Sequence, residues 1–322
     1  MFRRPRRNRK SAIIRSMVEE TRLSVDDLIF PLFLVEGKKV KQEVLSMPGI
    51  YRFSMDELLI EIGACIELGI KSFAPFPSLD EKLKNSYASE SHNRQGLYIR
   101  SIEAIKKQFP EVCLVTDVAM DPYSSDGHDG IVNSGEILND ETLEVLGKMA
   151  LAQAQAGTDI IGPSDMMDGR VGYLREVLDQ GGFKNVSIMS YTAKYASAFY
   201  SPFRDALDSA PKSGDKKTYQ LNPANQREAL TEARLDTEEG ADFLMVKPAL
   251  SYLDVIKLLK DHFDLPIAAY NVSGEYTMVK AAAQKGWLDG DKIMLEILTS
   301  IKRAGADVIL SYFAKEFAQL KD

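Results

Sequence analysis

The sequence predicts an α/β protein: a single closed (β/α)8 barrel, the TIM-barrel architecture, behind an extended N-terminal arm. Eight short apolar runs alternate with longer amphipathic stretches, the pattern of parallel strands joined by crossover helices. No change in composition divides these runs into two domains. The 322 residues exceed a typical single domain but suit a barrel of about 250 residues with extensions. An open doubly wound sheet is the alternative architecture. It lacks support, because no G-x-G-x-x-G follows the first apolar run and no Walker A sequence occurs.

The arm and a short helix take residues 1–25, and the barrel takes 26–322. Residues 1–10 hold six basic side chains, Arg3, Arg4, Arg6, Arg7, Arg9 and Lys10. The whole chain has a net charge of -7, so the rest carries 34 basic against 47 acidic groups. A basic arm on an acidic body suits docking on a second copy. Nucleic-acid binding would call for a basic surface with interleaved aromatics beyond the arm, and the sequence offers none. Ile13, Ile14, Met17 and Val18 are spaced for one face of a helix within 11–23, packed on the body or on a partner.

Strands are expected at 28–35, 72–76, 112–117, 159–162, 186–191, 243–246, 266–270 and 308–312. Helices are expected at 54–68, 95–108, 140–156, 169–180, 225–239, 252–263, 276–285 and 288–304. Two long polar connections interrupt the alternation, 77–94 and 201–222. Loops of that length are uncommon unless they cover a site. The second, rich in Ser, Gly, Pro and Lys, is expected to be a lid that closes over substrate.

Two of the expected strands run into lysines. Phe243-Leu-Met-Val-Lys247 stops at Pro248, which cannot donate to a ladder, and Val186-Ser-Ile-Met-Ser-Tyr-Thr-Ala-Lys194 ends the same way. A barrel carries its chemistry at the carboxyl ends of its strands. Neighbouring strands lie about 5 Å apart, so the two amines are expected to face one cavity, each raising the cost of protonating the other. One amine can then be a neutral nucleophile near neutral pH, as Schiff-base chemistry on a ketone requires. Taken singly, each lysine reads as a surface residue at a loop start.

The third strand leads into a loop holding Asp117, Asp121, Asp126 and Asp129, punctuated by Gly127 and Gly130. These carboxylates suit a hard cation, acid–base work, or an ordinary solvated turn. Ser273 and the amides after Asn271 form a seat for a carboxylate at a helix start. Arg204, Lys212, Lys216 and Lys217 give the expected lid a cluster of cations for an anionic substrate. Only Cys65 and Cys113 are present, so no disulfide framework or multi-thiolate zinc site is expected. No signal-peptide core and no apolar run of about 18 residues occurs, and the protein is expected in the cytoplasm, off membranes.

Together, Ser190-Tyr-Thr-Ala-Lys194, Met245-Val-Lys-Pro248, Asn271-Val-Ser-Gly-Glu-Tyr276 and the loop from Asp117 to Gly130 resemble the delta-aminolevulinic acid dehydratase (porphobilinogen synthase) family. The likeness runs from the arm to Tyr312. It implies a (β/α)8 barrel whose arm wraps a neighbouring subunit, usually in a homo-octamer. It also implies condensation of two 5-aminolevulinate molecules to porphobilinogen with loss of two waters, in tetrapyrrole (heme and chlorophyll) biosynthesis. By resemblance Lys247 forms the Schiff base with one substrate, and Lys194 forms or assists the second. Arg204, Lys216 and Gln220 clamp one substrate carboxylate, Ser273 and Tyr312 clamp the other, and Tyr270 lines the pocket. Asp117, Asp121 and Asp129 are substrate-binding, the last two orienting an amino group, with a monovalent or divalent cation or with none. Zinc-using members carry three cysteines in this loop, where this chain has Ala119, Asp121 and Asp129, so a catalytic zinc is not expected. Glu232 matches the position that binds a regulatory magnesium through waters, with Asp165 and Arg170 beside it near a subunit boundary.

Two rival readings stay open at the level of sequence. A class I aldolase-like barrel would use one imine lysine and a sugar phosphate, yet Ser273 and Gly274 are too little for a phosphate cradle. An idle barrel serving assembly or nucleic-acid binding would leave Lys194 and Lys247 as ordinary lysines.

Overall fold

The computed structural model describes residues 1–320. The arm starts with an exposed stretch and a 3-10 turn at Pro5–Arg9, then helix α1 (Ala12–Met17), where the Ser11 hydroxyl accepts the Ile14 N–H. No residue of α1 is buried, and Ile13 (74%) and Met17 (76%) face solvent. The expected helix over 11–23 is thus shorter, and its apolar face does not pack on its own barrel.

From there the order is β1 (Leu28–Leu34), β2 (Lys41–Glu43), β3 (Tyr51–Phe53), α2 (Met55–Glu67), β4 (Ser72–Pro77), α3 (Leu97–Gln108) and β5 (Cys113–Val118). A hairpin of β6 (Ile131–Asn133) and β7 (Glu136–Leu138) precedes α4 (Asn139–Ala156), β8 (Ile160–Pro163), α5 (Arg170–Gln180) and β9 (Ser187–Lys194). The chain continues through α6 (Ser201–Leu207), α7 (Glu228–Glu238), β10 (Phe243–Lys247), α8 (Leu253–His262) and β11 (Ile267–Asn271). It ends with α9 (Ser273–Gln284), α10 (Gly290–Ala304), β12 (Val308–Ser311) and α11 (Ala314–Gln319).

Eight of these strands close a parallel barrel in the order β1, β4, β5, β8, β9, β10, β11, β12. Closure is made where Leu28 and Ile29 of β1 pair with Ile309 and Leu310 of β12. Every residue of β1 and of β11 is buried, as expected when helices cover one face of a parallel sheet and side chains fill the other. Helix α10 shows the matching pattern, with Met294, Ile297, Leu298 and Ile301 buried and the Asp289 side chain capping the Lys292 N–H.

All eight expected strands are present, and three local readings change. The connection 201–222 is not loop throughout, since Pro202 sits in the first turn of α6, where its fixed φ favours a helix start. Helix α9 begins at Ser273 rather than at 276, because Glu275 folds back to accept the Val272 N–H. The strand expected to end at 191 continues to Lys194.

Candidate active site

Lys194 and Lys247 close adjacent strands in register. The pairing of β9 with β10 slips between Ser190↔Leu244 and Ala193↔Val246. In a strand a one-residue slip turns side chains to the opposite face. Both lysines are buried, at 5% and 7% exposure, and their surroundings differ.

Lys194 Nζ donates to the Ser164 carbonyl and lies 3.5 Å from Asp129 Oδ2. Lys247 Nζ instead faces the rings of Tyr270 (4.6 Å to the centroid), Tyr191 (5.1 Å), Tyr200 (5.2 Å) and Phe203 (5.2 Å). Its amine has no hydrogen bond or ion pair among the described residues. The ring faces attract an ammonium by about 2 kcal/mol when desolvated, but taking an ion out of water costs several kcal/mol. Burial therefore dominates. With the charge of Lys194 added, it pushes Lys247 down to about 7, against the pull of Asp117, Asp121 and Asp129. An idle barrel with ordinary lysines does not fit this amine.

The aspartate loop lies within electrostatic reach of both lysines. Burial and the neighbouring Asp121 push Asp117 up to about 7, while a Ser164 hydrogen bond and the two lysines oppose the rise. Asp117 is only part-buried by exposure, whereas Asp129 is fully buried, yet Lys194 and Lys216 hold Asp129 below the usual carboxylate range. Lys216 Nζ reaches Asp121 Oδ2 and Asp129 Oδ2, both at 3.2 Å. The amines of Lys194 and Lys216 thus supply the positive charge that a cation in this loop would bring. Both cysteines are remote from the loop, Cys65 on α2 and Cys113 at the amino end of β5, so no thiolate is available for zinc.

The connection 201–222 covers the site. His128 ties it down through Tyr219 Oη (3.0 Å) and the Ser213 carbonyl (2.9 Å), and Tyr219 Oη also accepts the Asp129 N–H. Two glycines mark where this cover touches the barrel: an added Cβ on Gly127 would lie 2.3 Å from the Ala210 carbonyl oxygen, and one on Gly274 would lie 2.5 Å from that of Phe199. The expected cluster of lid cations splits. Lys216 turns inward, whereas Lys212 pairs with Glu81 and Lys217 with Asp215 at the surface, since a flexible, strongly hydrated ammonium buries only where carboxylates await it. Arg204 is half-buried on α6 within electrostatic reach of Tyr200 and Tyr219. Gln220 Oε1 and Asp129 Oδ1 are buried without a hydrogen-bond partner among the described residues.

Beside Lys247, Tyr270 Oη and Tyr312 Oη hydrogen-bond at 3.1 Å. Ser273 Oγ accepts the Phe203 N–H (3.0 Å) and donates to the Phe199 carbonyl (3.3 Å), so this hydroxyl holds the root of the cover. Sequence reasoning missed Tyr191, Tyr200, Phe203 and Ser164. Tyr191 lies inside a lysine-ended apolar run and carried a signal; the other three reach the site only through the fold.

Glu232 sits on α7, away from the strand ends that carry the lysines, whereas Asp165 follows Ser164, whose carbonyl Lys194 reaches, and Arg170 donates to the Tyr191 carbonyl at 3.4 Å. Arg170 is buried between Asp165 (3.8 Å) and Asp236 (3.7 Å), and donates to Ser190 Oγ, which donates to Asp236. One turn before Asp236 on α7, Glu232 opens onto a cleft of about 620 Å³ lined also by Glu136, Asp168 and Glu228. Burial pushes Glu232 up to about 7; Arg170 opposes this, while Asp236, Asp168 and Glu228 add to it. No cluster of three or more acidic, histidine or cysteine side chains placed to chelate a metal occurs among the described residues. Single carboxylates with surplus negative charge fit an ion that keeps most of its waters.

A family model described as "Delta-aminolevulinic acid dehydratase" matches residues 2–320. The chain is 54% identical over 321 residues to a chloroplastic delta-aminolevulinic acid dehydratase of Glycine max, covering 99% of this chain and 78% of that protein. It is 53% identical to the enzyme of that name from Chlamydia pneumoniae, covering 99% and 96%. The crystal structure of delta-aminolevulinic acid dehydratase from Toxoplasma gondii ME49, in complex with the product porphobilinogen, superimposes with a TM-score of 0.98 at 51% identity, covering 99% and 92%.

Proposed function

The chain belongs to the delta-aminolevulinic acid dehydratase family, and from that premise we propose which side chains carry the reaction and what regulates it. The activity is that of a 5-aminolevulinate dehydratase, a hydro-lyase that makes porphobilinogen for tetrapyrrole biosynthesis. The observation that carries the assignment is the register pair Lys194 and Lys247, one amine among carboxylates and the other desolvated among aromatic rings.

Lys247 attacks the ketone of one substrate as a free amine, and Lys194 forms the second imine after passing its proton to a neighbouring carboxylate. Both ketone oxygens leave as water when the two imines form. The protonated imines draw off electron density while a carbon–carbon and a carbon–nitrogen bond replace the two lysine–carbon bonds, and both lysines are released. Asp117, poised near neutrality, passes the protons, and Asp129 with Asp121 holds the free amino group of one substrate. Arg204, Lys216 and Gln220 receive one carboxylate. Tyr312 receives the other together with Ser273, whose 3.3 Å bond to Phe199 yields to the incoming oxygen. Tyr270 lines the wall between them. Holding two small molecules in reacting geometry supplies much of the acceleration.

A hydrated magnesium ion at Glu232, with Asp165 and Arg170 behind it, is the regulatory cofactor of this reading; when bound it neutralises the acidic cleft and takes no part in bond making. The basic arm, with Ile13 and Met17 exposed, docks on the acidic body of a neighbouring copy in a homo-oligomer, an octamer by family habit. No helix among the described residues is long and apolar enough to cross a membrane. The cytoplasm is the proposed location, beside plant relatives that are named chloroplastic. Incubation with 5-aminolevulinate, followed by borohydride reduction and peptide mapping, tests the assignment: an adduct on neither Lys247 nor Lys194 would refute it.

A further inference from the structure

Glu275 is fully buried on the first turn of α9, and no bond-making step uses it. Its Oε1 accepts the Leu250 N–H (2.9 Å), from the turn that follows Lys247. Its Oε2 accepts Asn271 Nδ2–H (2.8 Å) and the Val272 N–H (3.1 Å). Asn271 Oδ1 accepts Ser311 Oγ–H (2.9 Å), and Ser311 Oγ accepts the Phe313 N–H (3.2 Å). One chain of hydrogen bonds therefore joins the turn after β10, the end of β11 and the turn after β12, and it brackets Lys247, Ser273 and Tyr312. A helix cap alone would need only the Val272 contact, and an exposed glutamate could make it. Burial pushes the Glu275 carboxyl up to about 7, against the amide donors that favour its charge.

We infer that Glu275 is a positioning residue for the reaction: it fixes the separation between the imine lysine on β10 and the carboxylate clamp on the turns after β11 and β12. This rests on the assignment of Lys247, Ser273 and Tyr312 made above. The ladder already joins the strand ends, through the Asn271↔Ser311 pair and the Ala249 N–H on the Tyr270 carbonyl. Glu275 adds a side-chain tie between the turns beyond them, which hold a substrate bound covalently at its ketone and electrostatically at its carboxylate, and small misplacements of a held substrate are costly.

The test is Glu275→Gln in the full-length protein. A carboxamide keeps one acceptor oxygen, so its nitrogen must face either the Leu250 N–H or the Asn271 and Val272 donors, and one limb is lost. The expected result is a folded barrel by circular dichroism, with kcat/KM lowered about ten- to a hundredfold and slower borohydride trapping at Lys247. Ser311→Ala cuts only the limb to Tyr312 and is expected to raise KM about tenfold while leaving the trapping rate at saturating substrate unchanged. Wild-type kcat and KM per folded site in Glu275→Gln overturn the inference, even if its melting temperature drops. Should Glu275→Gln fail to fold, Ser311→Ala decides, and an unchanged KM overturns it. Lys247→Ala in parallel separates the two levels. An adduct at full yield there removes the underlying assignment, whereas loss of the adduct there beside a normal Glu275→Gln removes only the positioning role.

Discussion

Lys194 and Lys247 face each other across one pair of hydrogen-bonded strands, yet the first reaches Asp129 at 3.5 Å while the second meets the ring of Tyr270 at 4.6 Å. Paired charge on one side and desolvation on the other make two amines of one type chemically unequal. That inequality separates the site from a barrel with a single imine lysine, and it sets the expectations that follow.

Replacing Lys247 by Ala should lower kcat by about a thousandfold or more and abolish the borohydride-trapped adduct at that position. The melting temperature should not fall, because a desolvated amine leaves with the side chain.

The depressed pKa of Lys247 also has a stability consequence. Its folded value of about 7 lies below the ordinary lysine value of 10.5, so between these values the unfolded chain binds the extra proton and stability rises with pH. The cost is fully present below about 7 and gone above 10.5. Lys247→Met should therefore stabilise the protein by about 2–4 kcal/mol near pH 6, and the gain should vanish in urea melts at the alkaline end.

Phe203 belongs to the cover, packs edge-on against Phe76 and stands 5.2 Å from the Lys247 amine. Phe203→Ala should admit water and return Lys247 toward its ordinary value. The ascending limb of kcat/KM against pH, set near 7 by the free amine, should then move about one unit higher. An unmoved limb would assign the low pKa to the remaining rings and to Lys194.

Lys216 neutralises both Asp121 and Asp129. Lys216→Met leaves the buried Asp129 and the part-buried Asp121 without it, so a loss of about 3–5 kcal/mol is expected, with KM for 5-aminolevulinate rising alongside. Both losses should shrink as pH falls and the carboxylates take up protons, which thermal melts at pH 5 and 8 would check.

Magnesium should stimulate the enzyme above pH 7 and less so below it, since Glu232 titrates near 7. Glu232→Ala should lose the response to added magnesium while still forming the Lys247 adduct. Removal of residues 1–18 should leave the circular dichroism of the barrel intact and lower the assembly mass in sedimentation.

The eight strands, their order and the lysine pair at their carboxyl ends were legible in the sequence, because a strand buried on both faces is written as a contiguous apolar run. The resemblance of the Lys194, Lys247 and Asn271 segments named the chemistry. Folding alone decided how each group is tuned. Tyr191 comes from β9, Tyr200 from the turn that leads into the cover, Phe203 from the cover and Tyr270 from β11, and no local pattern tells that their rings converge on one amine. The slip between β9 and β10, the inward turn of Lys216 and the capture of Ser273 by the root of the cover are likewise contacts between distant segments. Periodicity is local and survives in one dimension. Desolvation depends on what closes over a group, and that is settled only when the chain is packed.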